Sequence, residues 1–314
     1  MGYHVHLLLT RNMHIQWYPG HMYKAGKEIR EALPQVDLMI EVLDARIPFS
    51  SENPMLATLR GSKPCIKLLN KSDLADPLLT QQWQAYLQRQ QGVDSVALHR
   101  GEIDKIRKLP DLCREMIPAR GREHKSIRTM IVGIPNVGKS TLINILAGRS
   151  IAKTGNEPAV TKSQQRINLR NGIILSDTPG VMWPNVENRN SGYRLAATGA
   201  IKETAMEYDD VAMFAAEYLL HHYADNLLQR YHFEQMPQTE LELLEEIGRK
   251  RGCLRKGGRV DLSKAAKLFI TELRAGTLGR ITLETPAMME QEMAEVAIIQ
   301  EKKAAKKARR RSRR

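Results

Sequence analysis

Gly133-Ile134-Pro135-Asn136-Val137-Gly138-Lys139-Ser140 satisfies the phosphate-loop pattern G-x-x-x-x-G-K-[ST] at every specified position. The apolar run Met130–Val132 before it has the composition of a strand, and Thr141–Ala147 after it places apolar residues on one face of a helix. Strand, loop and helix in that order are the setting this pattern requires. Glycine lets the backbone close around an anion, and successive N–H groups at a helix N-terminus supply positive potential. Phosphate therefore falls to Asn136, Val137, Gly138, Lys139, Ser140 and Thr141. Lys139 reaches the β and γ phosphates, in catalysis as well as binding, and the Ser140 hydroxyl binds Mg²⁺.

A second motif lies upstream. Cys65–Leu69 reads as a buried strand and runs into Asn70-Lys71-Ser72-Asp73, the N-K-x-D pattern that distinguishes guanine. A carboxylate at the fourth position accepts from both N1–H and the N2 amine of guanine. Adenine lacks that donor pair and would leave the acceptor unpaired, at about 1–3 kcal/mol or more. This disfavours an ATP-dependent enzyme. In isolation the tetrapeptide is an ordinary turn; at the end of a strand, beside a phosphate loop, it reads as a base site. The strand Val93–Leu98 is followed by Ala97-Leu98-His99-Arg100, where a backbone N–H would meet the guanine carbonyl. Leu98 and His99 are assigned that contact by position only.

Downstream, Arg166–Leu169 and Gly172–Leu175 read as a hairpin ending in Asp177-Thr178-Pro179-Gly180. In this D-x-P-G pattern the aspartate meets Mg²⁺ through water and the Gly180 N–H senses the γ-phosphate. Between the two phosphate motifs lies Pro158-Ala159-Val160-Thr161, and Thr161 is the expected second hydroxyl ligand of Mg²⁺. The motif order is guanine reader, phosphate loop, threonine loop, D-x-P-G; standard GTPases have the guanine reader last. A parallel α/β sheet tolerates such a circular permutation, because rejoined termini lie close together at the surface. The γ-phosphate sensor then feeds straight into whatever follows it.

The 314 residues suffice for two domains with cores of their own. Three widely spaced cysteines suit a reduced, cytoplasmic protein. The longest apolar runs fall well short of a membrane span. Of the net charge of +13, nine charges lie in residues 302–314 and four in the other 301 residues. Such a tail suits RNA phosphates, without DNA specificity. The segment Arg249–Arg259 adds six cations in a glycine-rich stretch between the helical patterns Leu241–Ile247 and Ser263–Leu273.

The expected architecture is an α/β circularly permuted P-loop GTPase domain, followed by a small α-helical domain and a basic tail. Residues 1–12 form an N-terminal extension, with Met13 an alternative start. The GTPase domain spans 13–206, a helical domain 207–285, and a helix with a basic disordered tail 286–314.

Trp17-Tyr18-Pro19-Gly20-His21-Met22, NKSD, GIPNVGKSTLIN, AVTKSQQ, DTPGVMWP and KRGCLRKGG together resemble the circularly permuted ribosome biogenesis GTPases of the YlqF/RbgA type, over residues 13–285. The resemblance implies binding to the maturing large (50S) ribosomal subunit and its rRNA, promotion of a late assembly step, and GTP hydrolysis to GDP and phosphate, slow alone and stimulated by that particle. It makes 207–285 a helical RNA- or ribosome-binding domain; the protein is expected to be a monomer. The alternative is a nucleotide-gated RNA-binding checkpoint module in which hydrolysis is incidental. Ras-like enzymes orient the attacking water with a glutamine after D-x-x-G; here that position is Val181. By resemblance His21 is the proposed catalytic group, its neutral imidazole accepting a water hydrogen bond. Asn136 resembles the asparagine that supports K⁺ in potassium-stimulated GTPases.

Overall fold

Leu38–Asp44 (β1) and Cys65–Asn70 (β2) are buried at every position, as strands covered on both faces must be. With Val93–Ala97 (β3), Ile127–Gly133 (β4), Gln165–Asn168 (β5) and Ile173–Asp177 (β6) they form one six-stranded sheet of order β3-β2-β1-β4-β6-β5. All neighbours are parallel except the edge pair β5 and β6. The computed structural model describes residues 20–118, 125–152, 165–183, 186 and 188–311. Thr161 lies outside them, as do residues 1–19 and 119–124.

Chain order explains the sheet order. From β1 the chain steps outward to β2 and β3, then returns to lay β4 on the other side of β1 and moves on to β6. The direction reverses between β1 and β4, which makes their carboxyl ends the topological switch point where open α/β sheets bind ligands. Asp44, Asn70, Gly133 and Asp177 are the last residues of β1, β2, β4 and β6. The strand carrying the guanine motif precedes the phosphate-loop strand in the chain, yet lies two places from it in one sheet.

Helices cover the sheet: Gly20–Ala32 (α1), Pro54–Arg60 (α2), Pro77–Leu87 (α3), Ile103–Arg107 (α4), Leu109–Met116 (α5) and Lys139–Ala147 (α6). α3 starts at Pro77, because Asp76 accepts the N–H groups of Leu78 and Leu79 and Pro77 takes the first turn. The stretch Ile103–Met116 is divided into two helices, with Pro110 in the first turn of the second.

Beyond β6 come Arg189–Ala197 (α7), Tyr208–His222 (α8), Ala224–Tyr231 (α9), Glu240–Lys250 (α10), Leu262–Ala275 (α11) and Pro286–Arg311 (α12). The helix of α12 runs to Arg311, into the tail expected to be disordered from 302, because Glu, Ala, Lys and Arg are all good helix formers. One apolar cluster runs from Ile131 in the sheet through Leu195 of α7 to Phe269 of α11. The segment between α11 and α12 lies against the sheet's loops. Ile281 N–H donates to Leu74 O at 2.9 Å, Leu283 N–H to Arg46 O at 2.8 Å, and the Trp83 indole to Glu284 O at 3.0 Å.

Candidate guanine-nucleotide site

Asn70 closes β2, and its amide donates to Val137 O in the phosphate loop at 2.7 Å. That single bond joins the two motifs that the sequence separates. Gly138 is the residue it passes: a Cβ there would stand 2.3 Å from Asn70 Nδ2, and φ is +101°. Glycine is required on both counts. Lys71 adopts the left-handed conformation and turns its ammonium back to Asp44 at 2.9 Å. Ser72 and Asp73 begin a single 3-10 turn, with Ser72 N–H bound to Leu98 O at 3.2 Å and the Asp73 side chain exposed. Leu98 is buried and its own N–H goes to Leu69 O; the His99 N–H donates to Glu102. Both amides nearest the expected guanine carbonyl are thus engaged within the protein.

Lys139 opens α6 and is buried, its ammonium donating to Gly133 O and Ile134 O at 2.9 Å each. Burial pushes that ammonium down to about 8, against the pull of Asp177. Ser140 and Thr141 follow in the first turn of α6, with Gly138 at the N-cap. Asn136 has φ +58° and its amide donates to Gly199 O, just past α7, at 3.2 Å.

Asp177 is almost fully buried at the end of β6, and burial raises its carboxyl to about 6 while Lys139 opposes the shift. Its Oδ1 has no hydrogen-bond partner among the described residues. An orphaned buried carboxylate oxygen together with the Ser140 hydroxyl is a hard-oxygen donor set, and these residues fit Mg²⁺. Gly180 abuts the phosphate loop: a Cβ there would stand 2.8 Å from Pro135 Cα. Val181 N–H donates to Gly133 O at 3.2 Å, tying the D-x-P-G segment to the start of that loop. The Val181 side chain is buried in one cluster with Ala25 and Ile29 of α1, the helix whose first turn contains His21.

Two charged residues at this edge carry no motif signal. Arg46 grips Asp44 through Nε at 2.9 Å and Nη2 at 2.8 Å. An acid and a base flanking one alanine at the carboxyl end of a buried parallel strand was the available clue.

Three of the six cations in Arg249–Arg259 pair with acids of the helical region. Arg249 pairs with Glu245 and Glu246, Arg251 with Glu272, and Arg255 with Asp261, while Lys250 donates to His232 O.

A phosphate loop, a guanine motif and a D-x-P-G segment meeting at the switch point of one sheet define a P-loop GTPase of permuted order. The sequence model of the family described as 50S ribosome-binding GTPase matches residues 128–250. The Ribosome biogenesis GTPase A of Priestia megaterium is 45% identical over 287 residues, covering 89% of this chain and 99% of that protein. The Ribosome biogenesis GTPase A of Bacillus cereus is 42% identical over 296 residues, covering 92% and 100%. A GDP-bound structure of TM YlqF superposes with a TM-score of 0.61 at 31% identity, covering 83% of this chain and 99% of that one. This chain belongs to the ribosome biogenesis GTPase A (YlqF/RbgA) family. It is a GTP hydrolase of ribosome assembly, using GTP, GDP and Mg²⁺. Among the described residues no helix is long and apolar enough to cross a membrane.

Proposed function

We propose that this GTPase docks as a monomer, in the cytoplasm, on the maturing large (50S) ribosomal subunit and its rRNA, promotes a late assembly step, and leaves after hydrolysis. The observation that carries the nucleotide part is the Asn70–Val137 bond, which brings the guanine and phosphate loops within reach of one ligand. Asp73 reads the base, with Asn70, Lys71 and Ser72 shaping its loop and Leu98 and His99 beside it. The amides of residues 136–141 hold phosphate, with the Lys139 ammonium drawn from its loop carbonyls onto it. Ser140, Thr161 and, through water, Asp177 would hold Mg²⁺, which supplies charge neutralisation at the β and γ phosphates. Gly180 carries the γ-phosphate signal.

Hydrolysis needs a water held in line, and buried Val181 has no polar atom to offer. His21 is the proposed substitute. Its support is the shared apolar cluster that packs α1 beside Val181. The same valine favours a second reading, a nucleotide-gated RNA-binding checkpoint module with incidental hydrolysis. Purified large subunits discriminate: they accelerate GTP turnover under the first reading and leave it unchanged under the second. His21→Ala is expected to keep GTP affinity within a few-fold and to lower subunit-stimulated turnover at least about tenfold, or ~1.4 kcal/mol of barrier. Undiminished stimulated turnover would remove His21 from the mechanism. Sedimentation with large subunits in GDP and in a non-hydrolysable GTP analogue tests the docking cycle; equal co-sedimentation in both would contradict nucleotide-controlled release.

A further inference from the structure

Lys71 sits at the guanine loop on a long stem of four rotatable bonds, and a flexible ammonium on such a stem has many places to go. Among the described residues it has one. Its Nζ meets Asp44 Oδ2 at 2.9 Å, across from the neighbouring strand. Asp44 is itself immobilised: its Oδ1 accepts the Arg46 N–H at 3.1 Å and Nε at 2.9 Å, and its Oδ2 accepts Arg46 Nη2 at 2.8 Å. Both side chains of that forked pair are 3% exposed, against 22% for Lys71, so the anchor is buried and the anchored group reaches the surface. Burial alone would push the Asp44 carboxyl up; Arg46 and Lys71 outweigh it and hold it well below the usual carboxylate range.

Arg46 is fixed in turn from the helical region. Its remaining contacts reach Thr198 O and Arg274 O, both at 3.4 Å, at the C-terminal ends of α7 and α11. Those ends carry negative dipole potential that favours a guanidinium. The chain of contacts therefore runs from two helix ends through Arg46 and Asp44 to the one lysine of the guanine motif. A structural ion pair alone would not need its acid shared with a surface lysine.

We propose that Asp44 and Arg46 are positioning residues for guanine-nucleotide binding: they fix the Lys71 ammonium so that its methylene stem stands as a preformed wall against the purine face. This rests on the guanine reading of Asn70–Asp73. An unplaced lysine would have to be ordered at each binding event, so losing the anchor weakens affinity through Lys71 and through nothing else.

The test is a double-mutant cycle on GDP affinity, read with a fluorescent GDP in the full-length chain. Its arms are Lys71→Met, the paired change Asp44→Asn/Arg46→Gln, and the triple variant. Removing both buried charges together avoids stranding one of them. Lys71→Met and the paired change are each expected to weaken GDP binding by about tenfold, and the triple variant by no more than about twofold beyond either, because both act on one interaction. Losses that multiply in the triple variant overturn the proposal, since a general structural role of Asp44 would add to the loss of Lys71. A paired variant that binds GDP like the wild type, beside a weakened Lys71→Met, overturns it alone. Wild-type affinity in Lys71→Met overturns the guanine reading and the proposal with it. Circular dichroism checks folding of each protein. If the paired variant does not fold, Arg46→Lys replaces it, keeping the charge but losing the forked grip; wild-type GDP affinity there overturns the proposal.

Discussion

A methyl group on Gly138 would stand 2.3 Å from the Asn70 amide, in a backbone conformation at φ +101° that side chains rarely adopt. Gly138→Ala therefore has two costs, about 1–3 kcal/mol of backbone strain and the displacement of Asn70 from Val137. The expected outcome is a loss of GDP affinity of about tenfold or more with the protein still folded, read by calorimetry; affinity within twofold of wild type would contradict the interlock. Asn136 makes a different residue-scale prediction. Its Nδ2 is taken by Gly199 O, and among the described residues its carbonyl oxygen remains as the side chain's acceptor. If that oxygen supports K⁺, GTP turnover in KCl exceeds that in matched NaCl, and Asn136→Ala removes the difference. Equal rates in the two salts reject a specific K⁺ site.

At the scale of elements, the fully buried strand β1 carries Glu41 in its middle. Burial and then Glu52 push its carboxyl up, to about 7 from 4.5, while Lys67 and the Asn53 N–H pull the other way. The folded chain thus holds a proton that the unfolded chain has released between those two pH values, so β1 stabilises the fold less as pH rises from about 4.5 to 7. Urea unfolding at several pH values should show that decline, about 1 kcal/mol or more, and Glu41→Gln should flatten it. An unchanged slope in the variant would assign it elsewhere. The strands and the principal helices were legible because a buried parallel strand is a short apolar run and an amphipathic helix repeats near 3.6 residues. α7 was not, since all its residues from Ser191 to Ala197 are buried and it has no polar face to set a period. The full length of α12 was also missed, because charge density argued against order while helix propensity argued for it.

Across the whole molecule, the permuted order led to the expectation that the γ-phosphate sensor acts on the helical region through the covalent chain. The structure adds contacts that bypass that connection. The guanine side is backed by Ile281, Leu283 and Thr282, the last through its hydroxyl to Asp76 N–H at 3.0 Å, and the phosphate loop touches Gly199 through Asn136. Buried Arg194 of α7 pairs with Glu292 of α12 at 2.7 Å, and buried Glu284 accepts the Ser50 N–H at 3.0 Å. For the proposed rRNA contact, the tail is the stronger of the basic features, because Arg249, Arg251 and Arg255 are paired within the fold and residues 302–314 hold nine cations without an acid. Removing residues 302–314 should weaken binding to large subunits and flatten its salt dependence, since fewer counterions are released. GTP turnover of the free protein should not change; a lost basal rate would show that the tail serves the GTPase fold instead.

By itself the sequence determined the nucleotide chemistry: phosphate loop, guanine reader and D-x-P-G segment are local backbone devices, each complete within a few residues and readable wherever it stands in the chain. Their permuted order was likewise visible as soon as all three were found. Only the tertiary structure decided which other residues serve them. Asp44 and Arg46, the Gly199 carbonyl that holds Asn136, and the 281–284 segment behind the guanine loop reach partners as far as 237 residues away in the chain. No periodicity or spacing records such a meeting. It arises from the order in which parallel strands are laid side by side, which brings to one edge of the sheet what the chain keeps apart.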